Sequence, residues 1–111
     1  MEDIVKRLAL SAATGEKGLE REAVAGYCGD LLSDVMANSK KDALWLTIQS
    51  HQNIVAVAVL RDLAAIVLVN GRMPDEETKA KALAEGIPIL LSPSPSYDLA
   101  GRLYELGIGK D

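Results

Sequence analysis

The sequence predicts a three-layer α/β/α sandwich built on a mainly parallel sheet, and three observations carry that expectation. Short apolar runs rich in strand formers alternate with segments of helical spacing along most of the chain, the order that lays helices on both faces of a parallel sheet. The runs 43–48 and 64–69 are almost continuously apolar, as strands buried on both faces must be. With 111 residues, 49% of them hydrophobic, the chain can cover one sheet, so a single domain over 1–111 is expected.

Taken in order, Ile4, Val5 and Leu8 keep helical spacing in Asp3–Leu8, and Ala9–Thr14 turns into a short strand before Gly15 and Gly18. Arg21–Tyr27 reads as a strand that runs into a tight turn at Gly26 and Gly29, after which Asp30 is placed to cap a helix. In Leu31–Asn38 the residues Leu31, Leu32, Val35 and Met36 form one apolar stripe. Ala43–Ile48 is a buried strand. Asn53–Leu60 has valines at alternate positions like a strand, but Ser50 offers a cap, and Ile54, Ala58 and Arg61 keep helical spacing. Helix is preferred, because Ala43–Val69 then forms a strand, helix and strand of the length a right-handed crossover needs. Ala64–Val69 is the second buried strand, and Asn70-Gly71 breaks it. Pro74 opens the next helix, Asp75, Glu76 and Glu77 favour its first turn, and Gly86 stops it. Ile87–Leu91 is a short strand and Ser92–Pro95 a loop. Ser94 or Ser96 then caps a last helix that runs through Leu106 to Gly107.

The net charge is -4 and the basic residues are scattered, so nothing marks a track for nucleic acid. Cys28 is the sole cysteine and Met1-Glu2-Asp3 lacks a signal-peptide pattern, which points to the cytoplasm. The apolar stretch Ile54–Val69 is interrupted by Arg61 and Asp62 and is too short to span a bilayer, so no membrane is expected.

The motifs of phosphate loops, dinucleotide turns, zinc helices and nucleophile elbows are absent. Gly107-Ile108-Gly109-Lys110 looks similar to the first of these but reads as a tail. With Cys28 and His51 each alone of its type, no metal cluster, cofactor or catalytic residue is assigned. Cys28 reads as a small buried hydrophobe. Asp30 reads as a cap, and Asp34 as solvated or paired with a lysine. Ligand contacts are expected where turns follow parallel strands, at Asp30, Ser33, Gln49, Ser50, His51, Asn70, Gly71 and Arg72. The first two of these turns lead into helices whose leading amides are expected to point outward, where they can hold a phosphate.

The segment GYCGDLLSDVMAN at Gly26–Asn38, followed by LWLTIQSHQNIVAVAVLRDLAAIVLVNGR, resembles the stand-alone proteins of the DRTGG-domain family, and the match spans nearly the whole chain. The literal Asp-Arg-Thr-Gly-Gly string is missing, and Val69-Asn70-Gly71-Arg72 stands in its region. The family is similar to the amino-terminal domain of HPr kinase/phosphorylase, an α/β/α sandwich that accompanies a separate P-loop kinase domain. Related domains occur in phosphate acetyltransferases and, beside CBS domains, in inorganic pyrophosphatases, where they regulate or oligomerise and help enclose adenine nucleotides at a dimer interface. The resemblance therefore implies a non-catalytic regulatory module, a homodimer that senses an adenine nucleotide or another small metabolite. The alternative it leaves is an interaction subunit that completes a larger multi-domain enzyme. Trp45 and the last helix, with Tyr97 and Tyr104, are the expected contributors to the dimer contact.

Overall fold

The computed structural model describes residues 1–109; residues 110 and 111, which close the expected domain and the Gly107–Lys110 tail, lie outside the described residues. The chain runs α1 (Glu2–Arg7), β1 (Ser11–Thr14), a 3-10 turn (Glu16–Glu20), β2 (Ala25–Cys28), α2 (Leu32–Asn38), β3 (Ala43–Thr47), α3 (Asn53–Leu60), β4 (Ala65–Leu68), α4 (Glu76–Glu85), β5 (Ile89–Leu91) and α5 (Ser96–Glu105). The strands form one five-stranded sheet in the order β1-β5-β4-β3-β2. β2 to β5 are parallel neighbours, while β1 runs antiparallel to β5 with an irregularity between Ala12 and Thr14.

Side chains alternate across a strand, so each strand feeds two cores. Leu44, Leu46, Ala65, Val67 and Leu90 pack with Ile4 of α1 and with Leu99 and Leu103 of α5. Trp45, Ile66, Leu68 and Ile89 point the other way, to Val35 of α2, Ile54 and Ala58 of α3 and Ala82 of α4. The expected three-layer sandwich is therefore the fold. α2, α3 and α4 share one face because each crossover between adjacent parallel strands turns with the same hand. α1 and α5 cover the other. Trp45 is fully buried under the first group, and its Nε1 donates to the Gly29 carbonyl at 2.8 Å. It is a core residue and offers nothing to a dimer contact.

β2 begins only at Ala25, later than the Arg21 start that its alternation suggested. Arg21 is held across the amino ends of the neighbouring strands instead. Its Nε donates to Asp42 Oδ1 at 2.6 Å, and its Nη2 donates to the Asp62 carbonyl at 2.6 Å and to Asp62 Oδ1 at 3.0 Å. Asp42 and Asp62 precede β3 and β4 with φ of 64° and 55°, a left-handed conformation that aspartate tolerates better than most residues. The hydrogen bond from Arg21 holds the Asp62 carboxyl below its ordinary range. A carboxyl lowered by folding stabilises the fold at neutral pH, and that contribution is lost as pH falls through its folded-state pKa. Arg21→Ala is expected to cost about 1–2 kcal/mol at pH 7, since half-exposed ion pairs are weak singly and three contacts are lost together. The gap between variant and wild type should close on the acid side. Urea unfolding at neutral and acid pH tests this, and a gap that widens on acidification refutes it.

Several helix starts differ from the expected ones. Pro74 lies one residue before Asp75, the cap of α4, whereas Gly86 closes that helix at φ 71° as foreseen. α5 is capped by Pro95 with no side-chain bond, because Ser94 is turned toward β4: its amide donates to Ser92 Oγ at 3.2 Å and its carbonyl accepts from Asn70 N at 2.9 Å. Ser50 does not cap α3 either. Its carbonyl accepts Thr78 Oγ1 at 2.6 Å and Asp75 N at 3.2 Å, which ties the turn after β3 to the start of α4.

Candidate functional site

The expected ligand residues lie at the carboxyl ends of β2, β3 and β4 or in the first turn of α2. Asp30 follows β2, where the expected cap of α2 is not made. Leu31 occupies the cap position, and Asp30 Oδ1 accepts from Thr47 Oγ1 at 2.7 Å and from Ile48 N at 3.0 Å. Its carbonyl accepts Gln49 Nε2 at 2.9 Å. The carboxylate is drawn to the neighbouring strand end, where a hydroxyl and an amide converge, and so laces the turn after β2 to the turn after β3. Ser33 is exposed on the first turn of α2. Asp34 is neither free nor paired with lysine. It accepts from the Tyr27 hydroxyl and from Asn38 Nδ2 at 2.9 Å, and the bond to Asp34 raises the Tyr27 pKa.

His51 is exposed in the turn before α3, and its Nδ1 accepts from Asn53 N at 3.2 Å. Ile54 N donates to the His51 carbonyl and Val55 N to that of Gln52, at 3.1 and 3.0 Å. The leading amides of α3 are thus engaged within their own turn, contrary to the expectation that they point outward. A phosphate at this helix end has to displace the imidazole first.

After β4, Asn70 and Gly71 take φ of 58° and 69°, the left-handed pair that Asn-Gly adopts cheaply. α4 follows β4 on the Trp45 face, whereas α5 follows β5 on the Leu44 face, so the connections diverge between these two strands. Such a switch point opens the crevice in which α/β sheets bind ligands. Here main-chain bonds bridge it, from Asn70 N to the Ser94 carbonyl at 2.9 Å and from Gly71 N to the Ser92 carbonyl at 3.0 Å. Beside the bridge, Arg72 is exposed and its guanidinium has no partner among the described residues. Arg72 and His51 offer charge and hydrogen bonding on this rim. The rim suits the orientation of a ligand better than the making of bonds.

Cys28 corrects another expectation, because the residue is exposed. It lines a groove of about 200 Å³ between the edge strand β2 and α5, with Gly26, Leu46, Leu103, Tyr104 and Ile108. Partial desolvation of the sulfur against that groove, with the Asp30 carboxylate nearby, pushes the thiol pKa up and makes a poor nucleophile. A larger groove of about 590 Å³ runs between β1 and α4, lined by Ala12, Thr14, Gly15, Gly18, Leu83 and Gly86. Sequence reading missed both. The glycine pair at 15 and 18 was the available signal for the second, since both glycines close on Pro88. Among the described residues no group of histidine, cysteine and carboxylate side chains is placed to hold a metal ion, and no helix is long and apolar enough to cross a membrane.

No protein-family model matches the sequence, and no curated protein matches it. The fold is similar to the crystal structure of the CBS and DRTGG domains of the regulatory region of Clostridium perfringens pyrophosphatase, complexed with the activator diadenosine tetraphosphate. The TM-score is 0.74 at 13% identity, over 91% of this chain and 44% of that one. The chain thus has a DRTGG-like fold and spans less than half of the structure it matches.

Proposed function

We propose that residues 1–111 form one regulatory, ligand-sensing DRTGG-like domain that works as a homodimer in the cytoplasm and catalyses nothing itself. The observation that carries this reading is the likeness, over 91% of the chain, to a regulatory region crystallised with a nucleotide activator. Kinship with the amino-terminal domain of HPr kinase/phosphorylase rests on the sequence resemblance. The ligand is an adenine nucleotide or a related small metabolite, held on the rim of Ser33, Gln49, Ser50, His51, Asn70, Gly71 and Arg72. Asp30 acts there as a brace between turns. Arg72 supplies the cation for a phosphate by a charge-assisted bond.

Calorimetry with adenine mono- and dinucleotides, diadenosine tetraphosphate among them, tests the reading. Saturable binding is expected, weakened about tenfold by Arg72→Ala and less by His51→Ala, as loss of one exposed charged contact implies. Binding indifferent to both substitutions moves the site elsewhere, and no binding at all leaves the second reading, a subunit that completes a larger enzyme. Exposed Met73 and Leu83 favour that alternative, as surface held for a protein partner.

A further inference from the structure

From Asn53 to Leu60, α3 carries no charged side chain. A helix apolar on every side belongs inside a structure. α3 nevertheless lies between α2 and α4 with Ala56, Val59 and Leu60 open to solvent, Leu60 at 71%. Exposed Ala37 on α2, and Ala80 and Ala84 on α4, widen the face with small side chains that leave it flat. We propose that a second copy of this chain docks here, related by a two-fold axis, with the outer layer α2, α3 and α4 packed on its counterpart; this rests on the homodimer proposed above and assigns its surface.

Charge selects the occupant. The layer carries opposite charges at two diagonal corners: exposed Asp75, Glu76 and Glu77 where α4 begins, and exposed Lys40 and Lys41 where α2 has ended. None of the five is locked in place. Lys41 stands 3.6 Å from Asp62 at 71% exposure, Glu76 is 4.0 Å from Lys79, and Glu77 meets Gln52 at 3.5 Å. A two-fold axis in the contact plane, running from the start of α2 to the end of α4, sets the acidic corner of each copy over the basic corner of the other and α3 upon α3. The corners on the axis meet themselves: Leu31, 67% exposed, faces its own copy, and Lys81 faces Glu85. A symmetric contact must be self-complementary, and this face is so in both polarity and charge.

Sedimentation velocity on the full chain across micromolar concentrations reads the result. The wild type is expected to be a dimer, and Leu60→Glu to weaken it roughly 100-fold with the circular dichroism of the folded chain unchanged, as burial of an unpaired carboxylate at the centre of a contact requires. Lys40→Glu with Lys41→Glu should weaken it too, and adding Glu76→Lys with Glu77→Lys should restore it. That rescue supports the contact even if Leu60→Glu fails to fold. A wild type that stays monomeric sinks the pairing itself. A dimer that tolerates Leu60→Glu but falls apart with Tyr97→Glu on α5 sinks only this surface and leaves the ligand-sensing homodimer standing.

Discussion

Trp45→Ala is expected to be the most damaging substitution in the chain, at about 3–5 kcal/mol, the usual cost of removing a large aromatic from a core that cannot collapse around the gap. Trp45 is fully buried on the inner strand β3, between Tyr27 of β2 and Ile66 of β4 in the sheet register. Its indole also satisfies the Gly29 carbonyl, so the loss is both volume and a hydrogen bond. Trp45→Phe separates the two. It keeps most of the packing and strands the carbonyl, for about 1–3 kcal/mol. A domain of this kind has about 5–15 kcal/mol in total, so the alanine variant should fold but melt early. Urea unfolding followed by circular dichroism, which does not depend on the indole, measures both. A loss below about 1 kcal/mol for Trp45→Ala is incompatible with the packing described.

What was legible in the sequence was what a single local pattern decides. Nearly continuous apolarity at 43–48 and 64–69 identified strands buried on two faces, which span Ala43–Thr47 and Ala65–Leu68. The helix at 53–60 was legible for a longer-range reason: the valines at 55, 57 and 59 suit either structure, and only the need for a crossover between parallel strands decided it. The rim residues were found from their position after strands, which chain order alone supplies. Their bonding was not legible. Whether Asp30 caps the helix after it or braces the strand beside it depends on where Thr47 and Ile48 sit, 17 and 18 residues away. The same holds for Arg21, whose two aspartates are 21 and 41 residues distant and show in the sequence only as ordinary charges near loops. Cys28 was misread because a lone cysteine at a strand end is usually a small buried hydrophobe, while its exposure comes from β2 lying at the sheet edge.

Gly15→Ala should come next in size, at about 2–4 kcal/mol. Gly15 has φ of 74°, and a Cβ there would stand 2.5 Å from Pro88 Cα. The left-handed conformation costs an L-residue roughly 1–2 kcal/mol. The remainder is displacement, because the atom in the way is backbone and cannot rotate aside. Gly71→Ala is the control. Its φ is 69°, and a Cβ there meets nothing within 4 Å, so it should cost only the conformational part. The difference between the two midpoints in urea isolates the close approach of the loop after β1 to the strand it covers. Equal losses would mean that the chain at Pro88 yields freely.

The place of β1 bears on how the chain comes together in time. β2, β3 and β4 each pair with the strand that follows, so this part of the sheet grows by adding one crossover at a time and needs only short loops to close. β1 does the reverse: the sheet's first strand joins its last, Ser11 beside Leu91, and its partner exists only after the other three strands have been made. During synthesis α1 and β1 must therefore wait beside a growing sheet, and β1 seals the β5 edge as a late step, which leaves β1 itself the strand open to wrong pairing until β5 has been made.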